Sequence, residues 1–296
     1  LIRSASSSKV INGVFMTTES MLRFDQIDVF SMTPLLGNAL AVVHSADSLS
    51  TSQMEHFARW TQLSETTFLL APETPEADYK VRIFTPEGEL PFAGHPTLGS
   101  AHAWLNAGGS PADPQRIIQE CGVGLIPIRK DAEMLAFRAP DLLKTGPVDE
   151  ETLQVICHGL GIERSEILLH QWVDNGPGWA AVTLDSAERV LSINPNFSLL
   201  TSVNFGIIGP HDSHQDADYE VRAFVNSLDI PEDPVTGSLA AGIAQWFSRE
   251  GLAEKSYTIA QGQKLQRQGR IHISEENGEI WVGGVSTRCI SGTLHL

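Results

Sequence analysis

The chain carries the same arrangement of sequence twice. Residues 81–105 read VRIFTPEGELPFAGHPTLGSAHAWL, and residues 221–247 read VRAFVNSLDIPEDPVTGSLAAGIAQWF. Each copy predicts a strand that begins Val-Arg-x-Phe, then a turn, a Pro-x-x-Gly-Ser step and an apolar helix. The first N–H groups of a helix have no partner within that helix, so each predicted helix start can bind an anion. The repeat therefore predicts a duplicated architecture in which both helix starts face one ligand.

The composition limits the possible partners. The chain has 296 residues, 42% of them hydrophobic, which is enough for about two domains of ordinary size. Its 20 basic and 36 acidic residues give a formal charge of −16, which repels nucleic acid and anionic membrane surfaces. No apolar run approaches the roughly 18 residues of a spanning helix, so we expect no membrane anchor. A small molecule is the expected partner.

The cysteines and the first residues give two further expectations. Cys121, Cys157 and Cys289 lie far apart, form no C-x-x-C pair and are odd in number. This usage is typical of a reducing cytoplasm, where we expect the protein to be. Residues 1–20 begin with Leu and lack an apolar signal core, so we interpret them as a leader or cloning remnant.

The remaining pattern predicts an α+β fold. Alternating and buried strands bracket one long apolar helix in each half, which indicates two pseudo-symmetric lobes, each a curled, mostly antiparallel sheet around a central helix. We expect the first lobe at 21–140, the second at 147–285, and a last strand at about 286–296 that returns to the first lobe. No G-x-G-x-x-G fingerprint or P-loop is present, which argues against a dinucleotide or nucleotide cofactor. We expect no cofactor.

Four segments carry a more specific resemblance. They are DVFSMTPLLGNALAVV (28–43), LSETTF (63–68), FTPEGELPFAGHPTLG (84–99) and IPEDPVTGS (230–238). With them the chain resembles the PhzF-like (phenazine biosynthesis-like) isomerases and, through these, the diaminopimelate epimerase and proline racemase fold. The resemblance covers Phe24 to the C-terminus. It departs at Ala39, where the family commonly has Pro, and after the second Val-Arg-x-Phe strand, which lacks the usual Phe-x-Pro. It implies a homodimeric, cofactor-independent isomerase of a small carboxylate-bearing substrate.

The resemblance assigns proton transfer to Glu65. This residue follows a predicted helix and begins a predicted strand, and it matches the proton-shuttling glutamate of the family. Burial raises the pKa of a carboxyl group toward the working pH, so one residue can take a proton from one carbon and return it to another. Without the resemblance, the residues favour an exposed carboxylate at a helix C-terminus, where it opposes the helix dipole.

His95 and Asp233 are the other predicted catalytic residues. In the internal alignment they stand opposite each other, and each directly precedes the proline of its turn. Asp233 is readable as a helix cap or turn residue, and also as a group that binds substrate or holds the His95 tautomer. His95 is readable as a structural histidine or as a donor to a substrate carboxylate.

Five further residues are predicted to bind substrate. Gly94 and Gly237 permit close backbone approach, and with Ser238 they direct N–H groups at a carboxylate or an enolate-like oxygen. Asn38 matches an early ligand-contacting asparagine of the family, although Gly-Asn alone predicts only a turn. Gly176 lies with Pro177 in a second-half loop that we expect near the pocket.

One polar loop imitates a metal site. His211, Asp212, His214, Asp216 and Asp218 fall within GPHDSHQDAD, but their spacing lacks the i, i+4 helical geometry of zinc enzymes. We interpret this segment as a solvated loop and predict no metal.

Alternatives from other classes remain open. The same fold and cleft suit a small-molecule binding protein that has lost the reaction. A racemase or epimerase of amino or hydroxy acids that uses two thiols needs a cysteine at each helix start, where this chain has His95 and Asp233. Glu120-Cys121-Gly122 resembles such a thiol motif but lies in a strand-like run, which favours a buried structural cysteine.

Overall fold

The structure is a computed structural model that describes residues 21–131, 133–200, 203–212, 216–225 and 231–296. The expected leader, residues 1–20, and His214 of the polar loop lie outside the described residues.

Helices and strands alternate along both halves of the chain. The first half contains α1 (Thr51–Thr61), α2 (Gly94–Asn106), β1 (Met21–Val29), β2 (Asn38–Val43), β3 (Glu65–Leu70), β4 (Tyr79–Phe84), β5 (Glu89–Leu90), β6 (Arg116–Cys121), β7 (Gly124–Asp131) and β8 (Met134–Arg138). The second half contains α3 (Glu150–Leu160), α4 (Ala187–Ser192), α5 (Gly237–Glu250), β9 (Leu169–Trp172), β10 (Trp179–Thr183), β11 (Asn204–Pro210), β12 (Tyr219–Phe224), β13 (Glu232–Asp233), β14 (Ser256–Gln261), β15 (Gly269–Glu276), β16 (Glu279–Gly284) and β17 (Ser286–His295).

The two halves pair their strands in the same succession. In the first half β1–β2 is antiparallel, β2–β3 parallel, β3–β4 and β4–β5 antiparallel, β4–β6 parallel, and β6–β7 and β7–β8 antiparallel. The second half repeats this order from β9–β10 to β15–β16. β8 pairs with β16, and β17 pairs with β1, both antiparallel. The result is a mixed α/β fold with one large curled sheet and few helices.

α2 and α5 occupy the interior of this sheet. Ten of the fourteen α5 residues and nine of the thirteen α2 residues are buried, as their continuous apolar sequences predict. Residues from both helices, among them Leu98, Leu239 and Trp246, belong to one hydrophobic cluster that also takes side chains from both halves of the sheet. Burial of each large apolar side chain contributes about 1.5–3 kcal/mol, so this shared core fixes the position of both helix starts. Across the described residues, no helix is long and apolar enough to span a membrane.

The predicted internal alignment is wrong by a few residues. α2 begins at Gly94, before Pro96, whereas α5 begins at Gly237, after Pro234. Proline fits the first turn of a helix because an N–H at that point would have no intrahelical partner, so the same letters occupy different places in the two copies. Counted from the helix starts, His95 corresponds to Ser238, and Asp233 lies before its helix.

Two equivalent ion pairs, one in each half of the chain, support the alignment counted from the helix starts. Arg82 donates two hydrogen bonds to Glu89, both at 2.7 Å, and Arg222 donates two to Glu232, both at 2.8 Å. Phe84 pairs with Glu89 across β4 and β5 as Phe224 pairs with Glu232 across β12 and β13. The second pair is buried and the first is partly exposed, and each ties the turn before a central helix to the preceding strand.

Candidate active site

The starts of α2 and α5 touch each other. A Cβ atom on Gly94 would lie 2.5 Å from the carbonyl carbon of Gly237, so position 94 has no space for any side chain. Ala93 and Thr236 precede the helices, and neither side chain caps its own helix. Both helix starts therefore present backbone N–H groups and the positive ends of their dipoles to the same place.

The floor of this junction is Phe30. Its side chain is fully buried, and its ring lies 3.0 Å from the position of a Cβ atom on Gly237. Its backbone has φ of 68°, a left-handed conformation that is unfavourable for a bulky residue. The Phe30 N–H donates to the Val285 carbonyl and the Phe30 carbonyl accepts from the Arg270 N–H, and these hydrogen bonds hold this conformation. The contact with the start of α5 is made by the tip of the Phe30 ring.

A cavity of about 200 Å³ opens at the junction. Six predicted site residues line it: Glu65, Gly94, His95, Asp233, Gly237 and Ser238. Asn38 does not line the cavity but lies directly behind it, in contact with two residues that do. Gly176 does not line it either; its N–H binds Asp174 Oδ1, and the next residue, Pro177, is the one that lines the cavity.

Glu65 and His95 face each other in this cavity. Glu65 begins β3, and its Oε2 lies 3.5 Å from His95 Nε2. Both atoms are buried and lack a hydrogen-bond partner among the described residues. Burial and the charge of Asp233 raise the pKa of Glu65 well above its ordinary value, whereas burial lowers the pKa of His95 to about 3. The pair is thus a carboxyl group poised to hold a proton beside a neutral imidazole.

Asn38 sets the orientation of the imidazole. Its Nδ2 lies 3.0 Å from Asp233 Oδ1, 2.9 Å from the Val235 carbonyl and 3.3 Å from His95 Nδ1. An amide nitrogen only donates, so the hydrogen-bond network assigns His95 Nδ1 as an acceptor and places the ring proton on Nε2, toward Glu65. Holding the His95 tautomer was one of the roles left open for Asp233; in the described contacts, Asn38 is the side chain that faces His95 Nδ1.

Asp233 is a charged neighbour of this pair. It accepts hydrogen bonds from Asn38 and from the Thr236 hydroxyl at 2.5 Å. Burial raises its pKa to about 6, and the hydrogen bonds from Thr236, Asn38 and Ser64 limit the rise. Asp233 is therefore mostly ionised at neutral pH, which is why its charge helps to raise the pKa of Glu65.

Ser238 is held from behind by two donors. The Trp179 indole Nε1 lies 2.9 Å from Ser238 Oγ, and Asn175 Nδ2 lies 2.8 Å from the Ser238 carbonyl. All three side chains are almost completely buried. The second residue of α5 is thus rigidly placed at the edge of the cavity.

Several lining residues escaped the sequence analysis. They are Ser64, Thr85, Pro86, Glu87, Leu90, Ala93, Trp179, Asn204, Val225 and Thr236. Thr236 was within reach of prediction because it lies inside the DPVTGS segment, next to Asp233 and Gly237. Trp179 carries no local signal, since it reaches α5 from a strand about sixty residues earlier.

The polar loop and Cys121 lie apart from the cavity. His211 pairs with Glu220, Asp216 with Arg270, and the Asp218 carboxylate accepts the Thr258 N–H. Within the described ranges, no group of three or more His, Cys, Asp or Glu side chains is arranged to hold a metal. Cys121 is buried in β6, where burial raises the pKa of its thiol, and it is not a lining residue.

Other solved structures share the fold of this chain. A hydroxyproline epimerase from Agrobacterium vitis shares the fold with a TM-score of 0.58 at 11% identity, over 93% of each chain. A PhzF-family phenazine biosynthesis protein from Enterococcus faecalis superposes with a TM-score of 0.76 at 24% identity, over 94% of this chain and 100% of that one. The architecture is thus one found in epimerases and in PhzF-family proteins.

The sequence comparison identifies the family. Residues 27–292 match the family model described as phenazine biosynthesis-like protein, and the chain belongs to that family. It is 37% identical to antisense-enhancing sequence 1 of Schizosaccharomyces pombe, over 91% of this chain and 97% of that protein. It is 32% identical to trans-2,3-dihydro-3-hydroxyanthranilate isomerase of Pseudomonas aeruginosa, over 90% and 94% respectively. The predicted family and the predicted isomerase class are confirmed.

Proposed function

We propose that the protein is a cofactor-independent isomerase that moves a proton between carbon atoms of a small carboxylate-bearing substrate. The observation that carries this proposal is the position of Glu65, whose carboxyl group faces an unpartnered His95 Nε2 at 3.5 Å beside two uncapped helix starts. A relative named trans-2,3-dihydro-3-hydroxyanthranilate isomerase makes a dihydroaromatic amino acid the first substrate to test.

The helix starts supply the anion site. In the proposed complex the substrate carboxylate accepts hydrogen bonds from the backbone N–H groups of Gly94, Gly237 and Ser238, at the positive ends of α2 and α5. When a proton leaves a conjugated carbon, negative charge spreads onto that carboxylate. Fixed N–H donors stabilise this charge in the transition state more than in the ground state, which is the condition for catalysis.

Glu65 carries the proton. As a carboxylate it takes the proton from one carbon, and as the resulting carboxylic acid it returns the proton to another, so the enzyme ends in its starting state. The raised pKa of Glu65 favours the first step, because a carboxylate that binds a proton more tightly than an exposed one is the stronger base. The His95 Nε2–H donates to the Glu65 carboxylate or to the substrate, and Asn38 keeps that hydrogen on Nε2.

We also propose that the fold works as two lobes with the cavity between them. Residues 21–140 with the returning strand 286–296 form one lobe, and residues 147–285 form the other. The repeated strand pairings and the two equivalent central helices support this division. A further proposal is a homodimer, for which the exposed Ile290 on β17 offers apolar surface. Sedimentation that gives a 32.2 kDa species at micromolar concentration argues against the dimer.

Replacement of Glu65 by Gln tests the proposed function. The amide is nearly isosteric, so we expect the variant to bind substrate within about three-fold of wild type but to lose roughly 10²- to 10⁴-fold in kcat. The matched control is Glu254→Gln, which changes an exposed glutamate that does not line the cavity. Full turnover by Glu65→Gln with trans-2,3-dihydro-3-hydroxyanthranilate would remove Glu65 from the mechanism. Tight binding without turnover by wild type would favour a binding protein.

A further inference from the structure

The Ser238 hydroxyl is constrained by a hydrogen bond from the Trp179 indole. An indole N–H is a donor only, so the contact of 2.9 Å between Trp179 Nε1 and Ser238 Oγ requires the serine oxygen to accept. The single hydrogen of the hydroxyl must then point elsewhere. In the described part of the chain, no other hydrogen bond of Ser238 Oγ is present, and both residues line the cavity.

The first half of the chain contains the same device. Asn38 begins β2 and Trp179 begins β10, and these strands are equivalent, because each pairs in parallel with the strand that follows it. Asn38 Nδ2, which can only donate, faces Nδ1 of His95, the second residue of α2, at 3.3 Å, and Trp179 donates to Ser238, the second residue of α5. In both copies a donor at the start of a strand faces an acceptor atom of the second helix residue, and this favours donation by that side chain toward the cavity.

The charges around the cavity make such donors important. The lining contains the carboxyl groups of Glu65, Glu87 and Asp233 and, among the described residues, no lysine or arginine. An anionic group of a ligand therefore depends on N–H and O–H donors for its recognition. A hydroxyl whose oxygen already accepts a hydrogen bond is restricted in its rotation and biased toward donating, so it needs less reorganisation when the ligand binds.

We propose that Trp179 is a positioning residue that directs the Ser238 O–H at the carboxylate of the bound substrate. This inference rests on the proposed function only in taking a carboxylate as the ligand. It adds a hydroxyl to the donors of the anion site, and it gives Trp179 a role that depends on the indole N–H and not on the size of the ring.

The test compares a charged and a neutral ligand. Anthranilate carries a carboxylate and anthranilamide a carboxamide in the same place, and a hydrogen bond to a charged acceptor is roughly twice as strong as one to a neutral acceptor. Trp179→Phe removes the N–H and keeps an aromatic ring. We expect wild type to prefer anthranilate, and we expect Trp179→Phe to reduce this preference by about three- to ten-fold. If Trp179 acts only through packing, the variant binds both ligands more weakly by the same factor and the preference is unchanged. That result would overturn the proposal.

Ser238→Ala supplies the second arm. This variant should reduce the preference at least as much as Trp179→Phe does, and Trp179→Phe should have no further effect on it in the Ser238→Ala background. Should Trp179→Phe fail to fold, Ser238→Ala with an unchanged preference would overturn the proposal by itself. A wild type that binds neither ligand, or both equally, would do the same. Proton exchange at substrate carbon is measured separately on wild type. If wild type shows no exchange but the variants shift the ligand preference as expected, the proposed function alone is refuted.

Discussion

Asp233 gives the site a measurable dependence of stability on pH. Burial raises its pKa from an ordinary value of 3.8 to about 6 in the folded protein. Because the folded state binds this proton more tightly than the unfolded chain, the contribution to stability is fully present below pH 3.8 and is lost as the pH rises through 6. About two pKa units at roughly 1.4 kcal/mol each amount to ~3 kcal/mol.

Asp233→Asn removes this titration. The variant also loses the hydrogen bonds that Asn38 and Thr236 donate to the carboxylate, but their preference for the charged form is already contained in the folded-state pKa of about 6. We therefore expect the difference in unfolding free energy between variant and wild type to move in favour of the variant by about 2 kcal/mol between pH 4 and pH 7.5, because part of the full contribution is already lost at pH 4. Urea unfolding at four pH values measures it, with exposed Asp141→Asn as the control. A difference that stays constant within about 1 kcal/mol would refute the assigned environment of Asp233.

Three other outcomes follow from the geometry. Gly94→Ala places a methyl group against the Gly237 backbone and should lower kcat/KM at least about 100-fold, whereas Gly88→Ala, with open space around it, should leave it unchanged. Arg222→Met leaves Glu232 buried without its partner and should cost about 3–5 kcal/mol in thermal or urea unfolding, whereas Arg82→Met, in the exposed equivalent pair, should cost about 1 kcal/mol or less. The acidic limb of the plot of kcat/KM against pH should move to lower pH in Asp233→Asn, because the variant lacks a charge that raises the pKa of Glu65. An unmoved limb would show that the charge of Asp233 does not affect the pKa of Glu65.

Local sequence predicted the parts of the site that lie on one element. The position of Glu65 at the junction of a helix and a strand is recognisable, although the residues alone favour an exposed carboxylate there, and Gly94 and Gly237 are recognisable as glycines of the turns before apolar helices. The family resemblance supplied their roles. Aligning the prolines of the two repeats wrongly placed His95 opposite Asp233, because proline is tolerated both inside the first turn of a helix and before it.

Contacts between distant segments were beyond prediction. Asn38 meets Asp233 across 195 positions, and Trp179 meets Ser238 across 59. Neither contact leaves a periodic pattern in the sequence. The pKa shifts have the same origin, since burial of Glu65 and Asp233 arises only when the two halves of the chain bring α2 and α5 together.

The exchange of substrate C–H protons with deuterated water tests the central claim most directly. Incubation of wild type and Glu65→Gln with trans-2,3-dihydro-3-hydroxyanthranilate, followed by proton NMR, reports removal of the proton even where net turnover is slow. Wild type should incorporate deuterium at a ring carbon, and Glu65→Gln should do so at least about 100-fold more slowly. Equal incorporation in both proteins would contradict the assignment of Glu65 as the residue that moves the proton.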